Sequence, residues 1–275
     1  MDALSTSQQA AAAKPATPKS FWARHESALL GTFSMLAFLA FWEASVRFGW
    51  VNPLFTSSPS RILRTAIELF ADGSIFYDIE VSGYEFIVGY GMAVLIGVPL
   101  GILMGWYARV DAVLDPFVSA LYATPRIALL PLMMIWFGIG VASKIAVVFL
   151  GAVFPILVNT ITGMRTINAD FIKVARSFGS SDRQLFLTVA LPSSVPLLLT
   201  GLRLGLGHAL VGIVVGEMYG ATHGLGFLIA TAGARFQTDK VMVGIILIAS
   251  AGVAMTHLLR RIEKRLERWR PAIGG

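Results

Sequence analysis

Cysteine is absent from this 275-residue chain, so disulfides and thiolate metal sites are excluded and the redox compartment cannot be read. Charge is scarce too: 14% of residues are Asp, Glu, Lys or Arg, against roughly 25% in soluble domains. The four histidines, His25, His208, His223 and His257, lie in different segments without metal-ligand spacing. No Gly-x4-Gly-Lys-[Ser/Thr] phosphate loop occurs; "SFGSSDRQL" (Ser177–Leu185) is not one, because no lysine follows its serines. A Gly-x-Ser-x-Gly nucleophile elbow is missing as well. The residues therefore assign no catalytic group, no metal site and no cofactor, and an enzyme is a weak reading.

What is present is apolar residue in long runs. The chain is 56% hydrophobic with a mean hydropathy of +0.72, which defines a polytopic, all-α membrane protein rather than a soluble fold. About 20 apolar residues carry a helix across the hydrocarbon core. Six segments qualify: Ala28–Val46, Gly83–Tyr107, Ala112–Phe137, Ile145–Met164, Val195–Tyr219 and Val241–Leu259. The first is too long for a cleaved signal peptide and no small-x-small site follows it, so it reads as a retained span. Glu43 and Arg47, four apart at its end, are expected to pair.

Lys and Arg set the orientation. With the N-terminus in the cytoplasm, fourteen of them fall inside, six outside, and Arg126 and Arg203 within spans. That asymmetry predicts both termini cytoplasmic. It also accounts for the net charge of +6 without nucleic acid, because the tail "RRIEKRLERWR" suits anionic headgroups of the bilayer. Four stretches result. Residues 1–25 form a small, polar tail expected to be disordered. Residues 26–80 hold the first span and an outer interfacial helix. Residues 81–260 are the transmembrane core, and 261–275 a basic cytoplasmic tail. The interfacial helix is predicted from Ser58 or Ser60 as cap, Pro59 in the first turn, and Gly73 as terminator. Its expected apolar stripe is Ile62, Leu63, Ala66, Ile67 and Phe70, packed on the spans as a lid.

The cytoplasmic connection between the fourth and fifth spans, 168–192, is the most informative stretch. "DFIKVARSFG" sets Phe171, Val174, Ala175 and Phe178 on one helical face, with Gly179 ending the helix in the left-handed conformation. Ser181 or Asp182 then caps a second short helix with Leu185, Phe186 and Val189 on one side, which Pro192 is expected to break. Such an elbow either lies on the membrane surface or docks into a groove of another protein.

These residues carry a resemblance. Lys173-Val174-Ala175, three residues, Gly179, nine residues, Val189, one residue, Leu191-Pro192 resembles the Glu-Ala-Ala…Gly…Ile-x-Leu-Pro motif of permease subunits of bacterial ABC importers. Val174 and Val189 keep the apolar character. Lys173 reverses a charge, so an ion pair made by a Glu there is not carried over. "TPRIALLPLMMIWFGIG", "FPILVNTITGMR", "GLRLGLGHALVGIVVGEM" and "GLGFLIATA" are similar to the nitrate/sulfonate/taurine branch, over roughly residues 30 to 260. The resemblance implies a bacterial inner-membrane permease importing a small anion such as an aliphatic sulfonate, taurine or nitrate. It further implies a second permease copy, two ATP-binding subunits engaged through the elbow, and an extracytoplasmic binding protein that delivers substrate. Pyrimidine precursors are also carried within that branch. The competing reading is a secondary transporter or channel, which would commonly show an inverted repeat; none is obvious between the halves, and an ion gradient rather than ATP would drive it.

Within the spans, Pro116, Pro125 and Pro131 must kink or break the third. Arg126 is costly against lipid: it either snorkels, makes a structural pair, or lies along a pathway for anions. Arg203, Gly207, Leu210, Val214 and Glu217 form a seam on the fifth span. Arg203 and Glu217, fourteen residues apart, are separated by about 21 Å and cannot pair. Gly201, Gly205, Gly212 and Gly216 offer small-x3-small contacts, which predicts the fifth span at the centre, near a dimer axis, with Arg203, Gly207 and Glu217 joining Arg126 as expected pathway-lining residues. Glu217 reads as structural or gating rather than substrate-contacting, and His208 as a satisfied interior hydrogen-bonder rather than a proton relay.

Overall fold

A computed structural model describes residues 21–266. The expected tail up to residue 20, and Arg268 and Arg270 of the basic tail, lie outside the described residues. Every regular element among the described residues is a helix, and the backbone divides into two compact units after Pro59.

The first unit holds α1 (Phe21–Arg47) and the single turn α2 (Pro53–Thr56). The expected pair forms, with Arg47 Nε 2.7 Å from Glu43 Oε1. Trp42 Nε1–H donates to the Ser57 carbonyl at 3.2 Å.

The second unit opens on α3 (Pro59–Ala71), the expected interfacial helix. Its apolar stripe is not the one the spacing suggests. Ile62 and Leu69 are buried, whereas Leu63 and Ile67 are 63% and 60% exposed. Two apolar faces share this helix, and the pattern alone does not say which is covered. Gly73, at φ +77°, turns the chain into α4 (Ser74–Trp106), with Asp72 Oδ1 accepting from the Ser74 N–H at 2.9 Å. α4 therefore begins nine residues before the apolar run, because the polar residues of its first turns are held by partners described below.

The third apolar run is indeed broken. α5 (Ala108–Ala123) ends at Thr124-Pro125, a 3-10 turn follows over Arg126–Leu129, and α6 (Leu130–Phe137) leaves at 92°. Pro125 has no N–H to continue the ladder, and the residue before a proline is driven out of the helical region. α7 (Val141–Arg165) is the fourth span. By length and composition, five helices among the described residues can cross a membrane, and six when the bent pair counts as one span.

The centre of the unit is α7, not the fifth span. Over its most apolar stretch α7 is 61% buried, against 28% for the fifth span. Val148, Ala152 and Ile156 of α7 pack between Phe86 and Ala93 of α4 and Leu206, Ala209 and Ile213 of the fifth span. The close approach that Gly201 and Gly205 foretell is present: a Cβ on Gly201 would lie 2.8 Å from Asn159 Cβ, and one on Gly205 2.7 Å from Ile156 Cγ1. However, α4 brings a second small-residue row to the other side of α7, where a Cβ on Gly89 or Gly101 would meet Val148 or Thr160 at 2.7 Å. Small residues let helices approach closely in lipid, where no hydrophobic drive joins them. With two such rows, the helix between them is the one enclosed.

The connection after α7 contains α8 (Ala169–Ser177) and α9 (Asp182–Leu185). Pro192 does not break the path into α10 (Leu191–Gly220). Residues Phe186–Ala190 widen into a π turn, and the Leu191 N–H reaches back to the Phe186 carbonyl. The wider turn makes room for the proline ring, which would otherwise strike the carbonyl four residues earlier. The fifth span and the second limb of the elbow are thus one rod, Asp182–Gly220. α11 (Leu225–Ala234), too short to span and not foreseen as a separate helix, precedes α12 (Thr238–Leu266).

Candidate functional site

The elbow is built from caps. Asn168 Oδ1 accepts from the Asp170 N–H at 2.8 Å to start α8. Gly179, at φ +76°, ends it. The Gly179 N–H bonds Arg176 O at 2.9 Å and the Ser180 N–H bonds Ala175 O at 3.2 Å, the paired bonds of a Schellman motif. Of the two candidate caps for α9, Ser181 is the one used. Its hydroxyl accepts from the Gln184 N–H, while Gln184 Oε1 accepts from the Ser181 N–H at 2.9 Å, a full capping box. An Arg176–Asp182 ion pair ties one limb to the other.

The two limbs face differently. α9 and the π turn are anchored: Leu185 and Ala190 are buried, and Phe186 meets Trp106 edge to face at 5.2 Å. α8 turns its apolar residues outward, with Phe171 58%, Val174 55% and Phe178 85% exposed. Lys173, on α8, pairs with Asp170 at 3.4 Å, both exposed. Of the motif residues, Lys173, Val174, Ala175 and Gly179 share the first limb and its end, while Leu191 and Pro192 sit at the base of α10. Exposed aromatic side chains on a segment fixed at both ends form a preshaped plug.

The four residues expected along a pathway are not brought together. Arg126 lies at the α5–α6 break, beside a cavity of about 330 Å³ also lined by Tyr122, Thr124, Gly151, His208 and Val211. Its guanidinium stands 5.3 Å from the centroid of the Tyr122 ring and 5.8 Å from that of Phe154, and Nη1 reaches the Gly151 carbonyl at 3.4 Å. His208 lines this cavity and is not the interior hydrogen-bonder the sequence suggests. Arg203 pairs with Glu263 of α12 at 2.5 Å. Together with Gly207 it lines a different hollow, beside His257 and Arg260.

Glu217 is 1% exposed and organises the far end of α10. Ser82 Oγ donates to Oε1 at 2.6 Å, and the Gly226 N–H donates to Oε2 at 2.6 Å. The Leu225 N–H donates to Ser82 Oγ at 2.8 Å, and the Gly224 N–H to Asp78 Oδ1 at 2.8 Å. The orphan N–H groups that open α11 are thus satisfied by side chains of α4 and α10. Gly224 sits at φ +116°, and a Cβ there would come within 2.5 Å of the Glu217 carboxyl carbon. Lys144, 4% exposed, donates to the Gly220 carbonyl. Sequence reading singled out Glu217 alone. Asp78, Ser82 and Glu85, spaced i, i+4, i+7 ahead of an apolar run, were the available signal for the rest.

Comparison with known proteins places this architecture. Residues 97–268 match the family described as "Binding-protein-dependent transport system inner membrane component". The taurine transport system permease protein TauC of Escherichia coli is 34% identical, over 87% of this chain and 88% of its own length. A Bacillus subtilis protein that carries the name of an aliphatic sulfonates transport permease, SsuC, is 33% identical over 98% of this chain and 96% of its own. The formylaminopyrimidine transport permease protein ThiX of Halalkalibacterium halodurans is 32% identical over 90% and 98%. Among solved structures, an inward-facing MetNI methionine ABC transporter superposes with a TM-score of 0.60, covering 70% of this chain and 95% of that one at 20% identity, a likeness of fold. With helices able to cross a membrane several times and relatives above 30% identity along nearly their whole length, this chain belongs to the family of binding-protein-dependent transport system inner membrane components.

Proposed function

We propose that the chain forms, as a pair of copies, the membrane pathway of an ATP-driven importer for a small organic or inorganic anion such as an aliphatic sulfonate, taurine or nitrate. Each copy seats its elbow in a cleft of an ATP-hydrolysing subunit on the cytoplasmic side, where both termini also lie. A binding protein delivers substrate to the opposite face. The observation that carries this reading is the α8 limb, whose Phe171, Val174 and Phe178 are exposed on a segment locked by a Schellman motif and a capping box. A helix resting on a bilayer would need no such rigid hold. A plug that transmits force does, because a loose joint dissipates the motion of its partner. The chain contains no phosphate loop of its own, so the free energy for uphill transport enters through that contact. The names of its relatives support the anion. A secondary carrier is not favoured, since membership of this family argues for a binding-protein-dependent system.

Reconstitution in lipid vesicles tests the reading. Together with its partner ATPase and binding protein, the chain should accumulate labelled taurine, butane-1-sulfonate or nitrate only when ATP is present. Accumulation of any of them by the chain alone, driven by an ion gradient, contradicts the proposal.

A further inference from the structure

Two cations, Arg126 and Arg203, lie within the apolar spans of the second unit. Arg203 pairs with the Glu263 carboxylate. Arg126 has no carboxylate partner among the described residues; its contacts are two aromatic faces and the Gly151 carbonyl. An unneutralised guanidinium in a membrane segment is costly, and such residues face cavities or partners rather than lipid. This one borders a cavity of about 330 Å³ that also offers the Thr124 and His208 side chains. α5 runs sixteen residues, about 24 Å at ~1.5 Å each, before the break. Tyr122 and Phe154 hold the guanidinium by their faces, leaving its fork of donors for an oxyanion, the geometry for which arginine is suited.

We propose that this cavity is an anion-binding subsite within the pathway, in which Arg126, assisted by Thr124 and His208, receives the sulfonate or similar oxyanion group of a passing solute. It rests on the anion reading of the proposed function. The shared chemistry, a compact oxyanion, belongs equally to a lipid phosphate, and the test separates the two sources.

The absence of native cysteine makes the test clean. Val211 lines the cavity and is 53% exposed, so Val211→Cys provides a single reporter thiol. The full-length variant, in phosphatidylcholine vesicles, is labelled with the anionic 2-sulfonatoethyl or the cationic 2-trimethylammonioethyl methanethiosulfonate. The anionic reagent should react at least about tenfold faster relative to each reagent's rate on a free thiol. Adding Arg126→Gln should abolish that preference, and adding Arg126→Lys should keep most of it. Butane-1-sulfonate should slow the labelling. Equal corrected rates, or a preference that survives Arg126→Gln, overturn the subsite. A preference that disappears once phosphatidylglycerol is included, with butane-1-sulfonate giving no protection, assigns the cavity to a lipid headgroup and also overturns it. Equal rates together with ATP-driven anion uptake would sink the subsite and leave the import reading; a charge preference without such uptake would do the reverse.

Discussion

Glu217 shows what one buried carboxylate does in this fold. It accepts from Ser82 and from the Gly226 N–H, so its removal strands a buried hydroxyl and a buried backbone donor at once. Each buried donor left without its acceptor costs about 1–3 kcal/mol. Glu217→Ala should therefore lower the unfolding temperature of the purified protein sharply. Glu217→Gln, which keeps one acceptor oxygen, should lower it less. Thermal denaturation in detergent checks the ordering, and equal stability of the two variants with the parent would show that the cluster is not structural. Glu217 stood out in the sequence because an acid near the end of an apolar run needs a reason. Its partners were not, since nothing in one sequence says that the Asp78–Ser82–Glu85 face of α4 meets the start of α11. Arg126 was legible as an anomaly, and its aromatic holders were not: Phe154 is 28 residues away in the chain.

At the scale of elements, the elbow was readable in detail because its signals are local. The left-handed glycine, the serine cap and the 3.6-residue apolar spacing each act within a few residues. Where the outcome depends on packing, the pattern misleads: the covered face of α3 is not the expected stripe, and α7 rather than α10 occupies the centre. Pro192 misled for another reason, since a proline breaks a helix only if the preceding turn cannot widen. Gly179 carries the elbow's angle. A β-branched residue in the left-handed region costs about 1–2 kcal/mol, which lowers the ratio of bent to unbent elbow by about five- to thirtyfold. Gly179→Val should thus cut ATP-driven uptake by about an order of magnitude, while the amount of protein in the membrane stays close to normal. Uptake unchanged in that variant would remove the elbow's angle from the mechanism.

The second unit joins packed apolar helices to an elbow whose α8 limb exposes its apolar residues. Two small-residue rows lock α4, α7 and α10 into one body, and the rod Asp182–Gly220 runs from the elbow through that body to the Glu217 cluster. A displacement imposed at α8 is therefore delivered to the opposite end by a continuous helix. That is how a partner's hydrolysis would reopen the pathway, and it requires the exposed α8 face to be the place of attachment. Phe178 is 85% exposed, so its replacement leaves the fold's interior alone, while interface aromatics of this kind carry a large share of binding. The most direct measurement is retention of the partner ATPase by affinity-purified Phe178→Asp protein. The partner should be lost by at least about tenfold relative to the parent, with the helical content and monodispersity of the permease preserved. Retention at the parental level, with transport intact, would contradict the account.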